Sequence, residues 1–197
     1  HRFPLITWTI KAATQSKLID NIFISTDSKK IIEIAKKNNV IIPFSRPAYL
    51  SKNESKIEDV IIYSLNKMKE KFDIVLLLQA TSPLRNSKDI DNAIRFMVKN
   101  KAKTLVSVSK FFYPLFNYLS RIGHKNQLID LGKNLKKKDK VYYQPNGAIY
   151  ISTVKNFLKN KTFYNKKTIG YIMPENRSID IDDEFDFLRA IKYKKEN

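Results

Sequence analysis

Near its end the chain reads Arg177-Ser178-Ile179-Asp180-Ile181-Asp182-Asp183-Glu184, and two of these carboxylates are spaced for joint work. In an extended segment residues two apart face the same way. Asp180 and Asp182 then aim together while Ile179 and Ile181 turn to the core. Two oxygen ligands side by side suit a magnesium ion, whose remaining positions go to water and phosphate oxygens. The same acidic run precedes a helix, where carboxylates cap free N–H groups and offset the dipole. Asp183 and Glu184 are assigned to that helix; for Asp180 and Asp182 the residues alone leave both uses open.

A second polar stretch, Gln79-Ala80-Thr81-Ser82-Pro83-Leu84-Arg85, leaves an apolar run. The Gln79 amide both donates and accepts, so it can read sugar hydroxyls or a base edge. Arg85 can pair with a carboxylate or phosphate. The plainer alternative is a proline turn with a surface arginine. Gln144-Pro145-Asn146-Gly147-Ala148-Ile149-Tyr150 reads as a turn feeding a strand, since Asn-Gly is a common turn pair. Phe163-Tyr164 can wall a sugar pocket, with one of the two rings expected in the core. His1 and His124 have no metal-ligand partner at useful spacing and receive no role.

The elements that must carry these residues follow from periodicity. Leu5, Trp8, Ile10, Ala12 and Ala13 mark a helix ending near Gln15-Ser16. Asn21–Ser25 is expected as a buried strand, with Asp27 or Ser28 capping a helix faced by Ile31, Ile32, Ile34 and Ala35. Val40–Phe44 is expected as a strand, and Ile57, Val60, Ile61, Leu65 and Met68 as a helix. Ile74–Leu78 is apolar without alternation, the mark of a strand covered on both faces. A helix capped by Asn86 or Ser87 follows, then strands at Thr104–Ser109, Ala148–Ile151 and Thr168–Met173, an extended Ser178–Asp182, and a helix over Glu184–Tyr193. This alternation predicts an α/β fold: a Rossmann-like, mostly parallel sheet wound on both faces. Ligands of such sheets bind beyond the carboxyl ends of the strands, which points to Ser25-Thr26-Asp27, Gln79–Arg85 and Ser107–Lys110. Residues 111–144 break the rhythm and are read as an inserted β-rich arm.

The chain has 197 residues, 43% of them hydrophobic and 12% aromatic, enough for one domain with a packed core. With no cysteine there is no disulfide framework or thiolate chemistry. No apolar run reaches membrane-spanning length and no signal peptide opens the sequence, so a cytoplasmic protein is expected. The net charge of +18 favours anionic partners. Most lysines are scattered over solvated faces; only Lys136-Lys137-Lys138 with Lys140 forms a dense cluster. The chain opens on His1 rather than methionine and begins at a helix, which reads as a fragment.

Taken together, these segments resemble the acylneuraminate cytidylyltransferases, also called CMP-sialic acid synthetases. The likeness runs through Pro4–Ile10, Ile24–Asp27, Pro43-Phe44 with Arg46-Pro47, LLLQATSPLR (Leu76–Arg85), NGAIYI (Asn146–Ile151) and MPENRSIDIDDEFDF (Met173–Phe187). The resemblance implies a sheet of the nucleotide-diphospho-sugar transferase type, with a β-rich dimerisation arm at 111–144 and a homodimer. It implies that CTP is coupled to an acidic nine-carbon sugar of the sialic or legionaminic kind, with Mg2+, to give a CMP-sugar and pyrophosphate. Carried over, Asp180 and Asp182 are metal ligands and, with Gln79, catalytic. Gln79 contacts sugar or nucleotide, and Arg46 helps hold the nucleotide. Asn146, Tyr150, Phe163 and Tyr164 belong to the sugar pocket.

Lys136 and Gln144 stand where the family often has Arg facing the anionic substrate; glutamine supplies no charge and lysine no fork. Ala80 replaces a usual proline. Asn53 stands near a usual aspartate, and Ile57 near a usual small hydroxyl. The family's first strand and phosphate-binding loop have no counterpart ahead of His1, so the chain by itself is expected to be inactive. The nearest alternative is a pseudaminic acid cytidylyltransferase, although Gln79–Arg85 and Asn146–Tyr150 look more like the sialic and legionaminic branch. A Kdo cytidylyltransferase has a different strand-exit signature. From another class, a non-catalytic nucleic-acid-binding module would use Lys136–Lys140 with Tyr142-Tyr143, but it leaves Asp180 and Asp182 without a purpose.

Overall fold

A computed structural model of the chain describes residues 3–68, 70–111, 120–122, 128–130 and 142–196. Its helices are α1 (Leu5–Thr14), α2 (Lys29–Lys37), α3 (Ile57–Lys67), α4 (Ser87–Lys99), α5 (Val154–Asn160) and α6 (Glu184–Glu196). Its strands are β1 (Ile74–Leu77), β2 (Thr104–Phe111), β3 (Ser120–Ile122), β4 (Leu128–Asp130), β5 (Tyr142–Thr153) and β6 (Ile169–Ile172).

The main sheet has the order β1-β5-β2-β6. β6 runs parallel to β2, whereas β5 lies antiparallel to both β1 and β2. The sheet is therefore mixed rather than mostly parallel. Composition could not reveal this, because a strand buried on both faces is apolar in either direction. The reversal has a consequence for the site: the start of β5 lies where β1 and β2 end, as the pairing of Leu77 with Tyr150 and of Ser109 with Gln144 shows.

Alternate side chains of the strands serve opposite layers. Leu105, Ile149 and Ile151 pack with Ala12 of α1 and Ile90, Ala93 and Met97 of α4. Val75 and Val106 pack with Ile61 of α3, Phe157 of α5 and Phe163 on the other face, where Tyr150 also lies. This double cover explains the apolar run through β1. Helix α4 begins at a reciprocal cap: Asn86 Oδ1 accepts from Asp89 N at 3.0 Å, and Asn86 N donates to Asp89 Oδ2 at 3.1 Å. Asn86→Ala should cost about 1 kcal/mol, read as a lower midpoint of thermal unfolding.

Several sequence expectations shift. Asn21–Ser25 and Val40–Phe44 do not become strands; they touch through a single parallel bridge, Phe23 to Ile41. Their apolar residues are nevertheless used, Ile22, Ile24 and Ile42 packing against Ile10, Ala35 and Val40. Two short segments meeting at one bridge form no ladder. The Asn146-Gly147 pair is not a hairpin turn. It lies inside β5, where the pairing with β2 is irregular between Val106 and Val108. Helix α5, capped by the Thr153 side chain, is an element the apolar pattern did not reveal. Of the arm at 111–144, the described part includes the short antiparallel pair β3 and β4. Among the described residues no helix is long and apolar enough to cross a membrane.

Candidate functional site

The site grows from the exit of β1. Past Leu77 the chain reaches Gln79, and Gly147 stands opposite it on β5. Gly147 has φ +71°, a left-handed conformation that side chains other than glycine's rarely adopt. A Cβ added there would stand 2.6 Å from Asp180 Cγ and 3.0 Å from Gln79 Oε1, and closer still to Asp180 Oδ2. Bare backbone at 147 thus admits the Asp180 carboxylate and the Gln79 amide to one spot beyond the carboxyl end of β1.

Hydrogen bonds hold the segments in that arrangement. Ser107 Oγ of β2 donates to Asn146 Oδ1 at 2.6 Å, and Asn146 Nδ2 donates to Ser178 Oγ at 2.9 Å. Ser178 Oγ donates in turn to Pro174 O at 2.7 Å. Asn146, only 3% exposed, is therefore a brace between β2 and the acidic loop. Ser82 Oγ lies 3.4 Å from both Asp180 Oδ1 and Asn146 O. Ile181 N donates to Thr81 O at 2.8 Å, tying the acidic segment to the β1 exit.

The acidic segment is not a ladder strand; a 3-10 turn at Glu175–Arg177 precedes it. Its two isoleucines nevertheless turn to the core as expected. Ile179 joins Leu84 and Ala190 in a small core with Ile181 packed against it, while Asp182 is exposed. The loop is anchored upstream by Arg177, whose Nε and Nη2 donate to the Asp89 carboxylate at 2.9 and 3.0 Å. Neither this pair nor Arg189–Asp186 draws on Asp180 or Asp182. The Asp180 carboxylate lodged where a Cβ would block it, with the exposed Asp182 two residues on, is a hard-oxygen donor set that fits Mg2+, with phosphate oxygens and water completing the shell. Among the described residues no cluster of at least three His, Cys, Asp or Glu forms a self-sufficient metal cage.

An aromatic wall flanks this spot. Tyr150 packs its ring 5.5 Å from Phe163 and 6.4 Å from Tyr164, and Phe163 lies 4.7 Å from Phe157. Phe163 is 2% exposed, so it backs the wall from the core, whereas Tyr164 is 50% exposed and open to a ligand. Burial pushes the Tyr150 phenol up from its ordinary value. Tyr164, through its charge and a hydrogen bond, and then Asp180 and Glu58, push it further the same way. Tyr150 therefore stays a protonated donor within the field of Asp180.

The remaining expected residues are less gathered. Arg46 is engaged at the end of the Asn21–Ser25 segment, its Nε donating to Ser25 Oγ at 3.2 Å and its Nη2 to Ser25 O. Gln144 is exposed at the start of β5. Lys136 lies outside the described residues, as does the rest of the Lys136–Lys140 cluster. Arg85, weighed above as a surface arginine, is buried at 2% exposure. Sequence reasoning assigned no role to Ser82 or Ser178. Serine gives little signal in a sequence, and only the fold turns these hydroxyls inward. Ser107 at least stood in a polar strand exit already marked as a candidate.

An apolar hollow of about 230 Å3 lies between α1 and α6, lined by Trp8, Leu84, Ile181 and Phe187 among others. Lys194 is the charged group on its lining, placed over the Trp8 ring at 4.3 Å, and no carboxylate lines the hollow to hold a metal. The carboxylate and amide groups gather instead at the Gln79–Gly147–Asp180 spot.

Comparison with known proteins gives the family. A family model described as Cytidylyltransferase matches residues 3–196. The N-acylneuraminate cytidylyltransferase of Streptococcus agalactiae is 33% identical over 193 residues, 95% of this chain and 46% of that protein. The CMP-N,N'-diacetyllegionaminic acid synthase of Legionella pneumophila is 34% identical over 202 residues, 98% of this chain and 86% of that protein. The chain thus spans about half the length of the streptococcal relative and most of the Legionella one. In fold, it matches a 4-diphosphocytidyl-2C-methyl-D-erythritol synthase from Anaerococcus prevotii with a TM-score of 0.72 at 13% identity, covering 97% of this chain and 89% of that one. These matches do not favour the nucleic-acid-binding alternative. With the family model running from Phe3 through Gln79, Asn146 and Asp180 to α6, the chain belongs to the cytidylyltransferase family.

Proposed function

We propose that this chain carries the transfer site of a nucleotidyltransferase that couples CTP to a sialic- or legionaminic-type nonulosonic acid. The anomeric hydroxyl oxygen attacks the α-phosphorus of CTP, the bond to the bridging oxygen breaks, and pyrophosphate leaves. The hydroxyl proton passes to solvent, and the product is a CMP-sugar. Asp180 and Asp182 hold Mg2+, while Gln79 orients the sugar or nucleotide from the end of β1. Tyr150 and Tyr164 form the sugar-facing wall with Phe163 behind them, and Asn146 braces β2 against the acidic loop. Arg46 is assigned to the nucleotide, and Gln144 with Lys136 to the anionic end of the sugar. A bound magnesium ion supplies charge neutralisation on the phosphates and makes the hydroxyl easier to deprotonate. A cytoplasmic homodimer joined through 111–144 belongs to the same reading.

The observation that carries it is the convergence on Gly147, where a glycine conformation, a carboxylate and an amide share space at the open end of the sheet. The names of the streptococcal and Legionella relatives support the choice of sugar class. The test is pyrophosphate release by the full-length protein, with CTP, ATP, GTP and UTP offered in turn against sialic, legionaminic and pseudaminic acids. Release is expected only with CTP, divalent metal and one of the first two sugars. A preference for pseudaminic acid moves the assignment to that neighbour. Salt-sensitive binding of single-stranded DNA without turnover removes the enzymatic reading.

A further inference from the structure

Arg85 is a buried cation for which stability gives no sufficient reason. Its Nη1 donates to Ala148 O at 2.8 Å and to Gln79 O at 3.3 Å, and its Nη2 donates to Thr9 Oγ1 at 2.7 Å. Every one of these acceptors is neutral. Its Nε is buried with no acceptor among the described residues. Desolvating a guanidinium and leaving one N–H unsatisfied costs free energy that an apolar side chain of similar length would avoid. Burial accordingly lowers the Arg85 pKa to about 10, against the opposing pull of Asp89 and Asp180, so the group remains charged near neutrality.

What the fork connects is specific. Thr9 Oγ1 also donates to Gln79 O at 3.3 Å, so that carbonyl is fixed by both α1 and Arg85. Ala148 is the residue after Gly147. The guanidinium therefore clamps the main chain on the two sides of the spot where Gln79, Gly147 and Asp180 meet. A lysine offers a single nitrogen and cannot hold three acceptors in one plane in this way.

We propose that Arg85 is a positioning residue of the transfer site, its planar fork fixing the Gln79 and Ala148 carbonyls on the two sides of the Gly147–Asp180 contact and its charge acting on that carboxylate. The proposal rests on the reading of Asp180 as a metal ligand. Two consequences differ in sign from those of a purely structural arginine. Without the cation, the carboxylate site binds a divalent ion more tightly, because a buried positive charge no longer opposes it. Without the fork, turnover falls although metal binding does not.

The experiment compares Arg85→Lys and Arg85→Met in the full-length protein. Mn2+ affinity is read by electron paramagnetic resonance, kinetics by pyrophosphate release, and folding by thermal unfolding. Arg85→Lys should lower kcat about a hundredfold with the KM for CTP within about threefold, since misplacement affects the transition state more than binding. Its Mn2+ dissociation constant should stay within about twofold, whereas that of Arg85→Met should fall about three- to tenfold. Wild-type kcat in the lysine variant overturns the positioning role. Mn2+ binding in Arg85→Met that is unchanged or weaker overturns the coupling to Asp180. If the wild-type protein itself does not turn over CTP, the reading of function fails, and the Mn2+ comparison still decides whether Arg85 acts on Asp180.

Discussion

Asp182→Asn is expected to lower CTP turnover about a thousandfold with the acidic sugar present, while the thermal midpoint moves by no more than about 2 °C. The asymmetry follows from where Asp182 lies. It is exposed, and its carboxylate accepts no hydrogen bond from a described residue, so the amide removes charge and no structural contact. Asp180→Asn should be as damaging to turnover but less clean, because Asp180 also faces Ser82 and fills the space over Gly147. Near-wild-type kcat/KM in Asp182→Asn would remove the metal assignment for that residue. Restored turnover with a softer ion such as Mn2+ would keep it. Equal losses of turnover and of stability would instead make the acidic pair a structural element of the α6 entry.

The second large effect is expected at Gly147. In Gly147→Ala the new Cβ stands 2.6 Å from Asp180 Cγ, and the residue must keep φ +71°. The left-handed conformation alone costs about 1–2 kcal/mol for an L side chain. The clash adds to it and can be relieved only by moving Asp180 or Gln79. Stability should therefore fall by about 2 kcal/mol or more, and kcat in the folded fraction by about a hundredfold or more. Gly170→Ala on β6 is the control. Its Cβ would meet Val108 Cγ2 at 3.4 Å and no catalytic group, so turnover should be unaffected. A fully active Gly147→Ala would mean that Asp180 has room to spare, and the proposed geometry would be wrong. The two experiments probe neighbouring residues of the acidic segment, one by removing the charge of Asp182 and the other by adding a methyl group against Asp180.

Much of the fold was legible because burial leaves a periodic trace. The spacing of Ile57, Val60 and Ile61, the unbroken Ile74–Leu78 run and the Asn86–Asp89 cap each reflect forces acting within a few residues. The chain's own order also gave the packing of the acidic segment, since Ile179 and Ile181, which alternate with Asp180 and Asp182, find the core as expected. What the order of residues could not state was direction and distance. A strand covered on both faces looks alike whichever way it runs, so the reversal of β5 was invisible, and with it the approach of Gly147 to Gln79 across 68 positions of chain. The role of Asn146 changed for the same reason: read locally it is a turn residue, but its side chain is spent on Ser107 and Ser178 from distant segments. Arg85 moved furthest. Nothing in its neighbours announces that a guanidinium will be sealed beneath the site, because that depends on carbonyls at Gln79 and Ala148 which only tertiary packing brings together. Local physics chose the elements and the chemistry they could carry. Long-range packing chose which of those groups share one small volume.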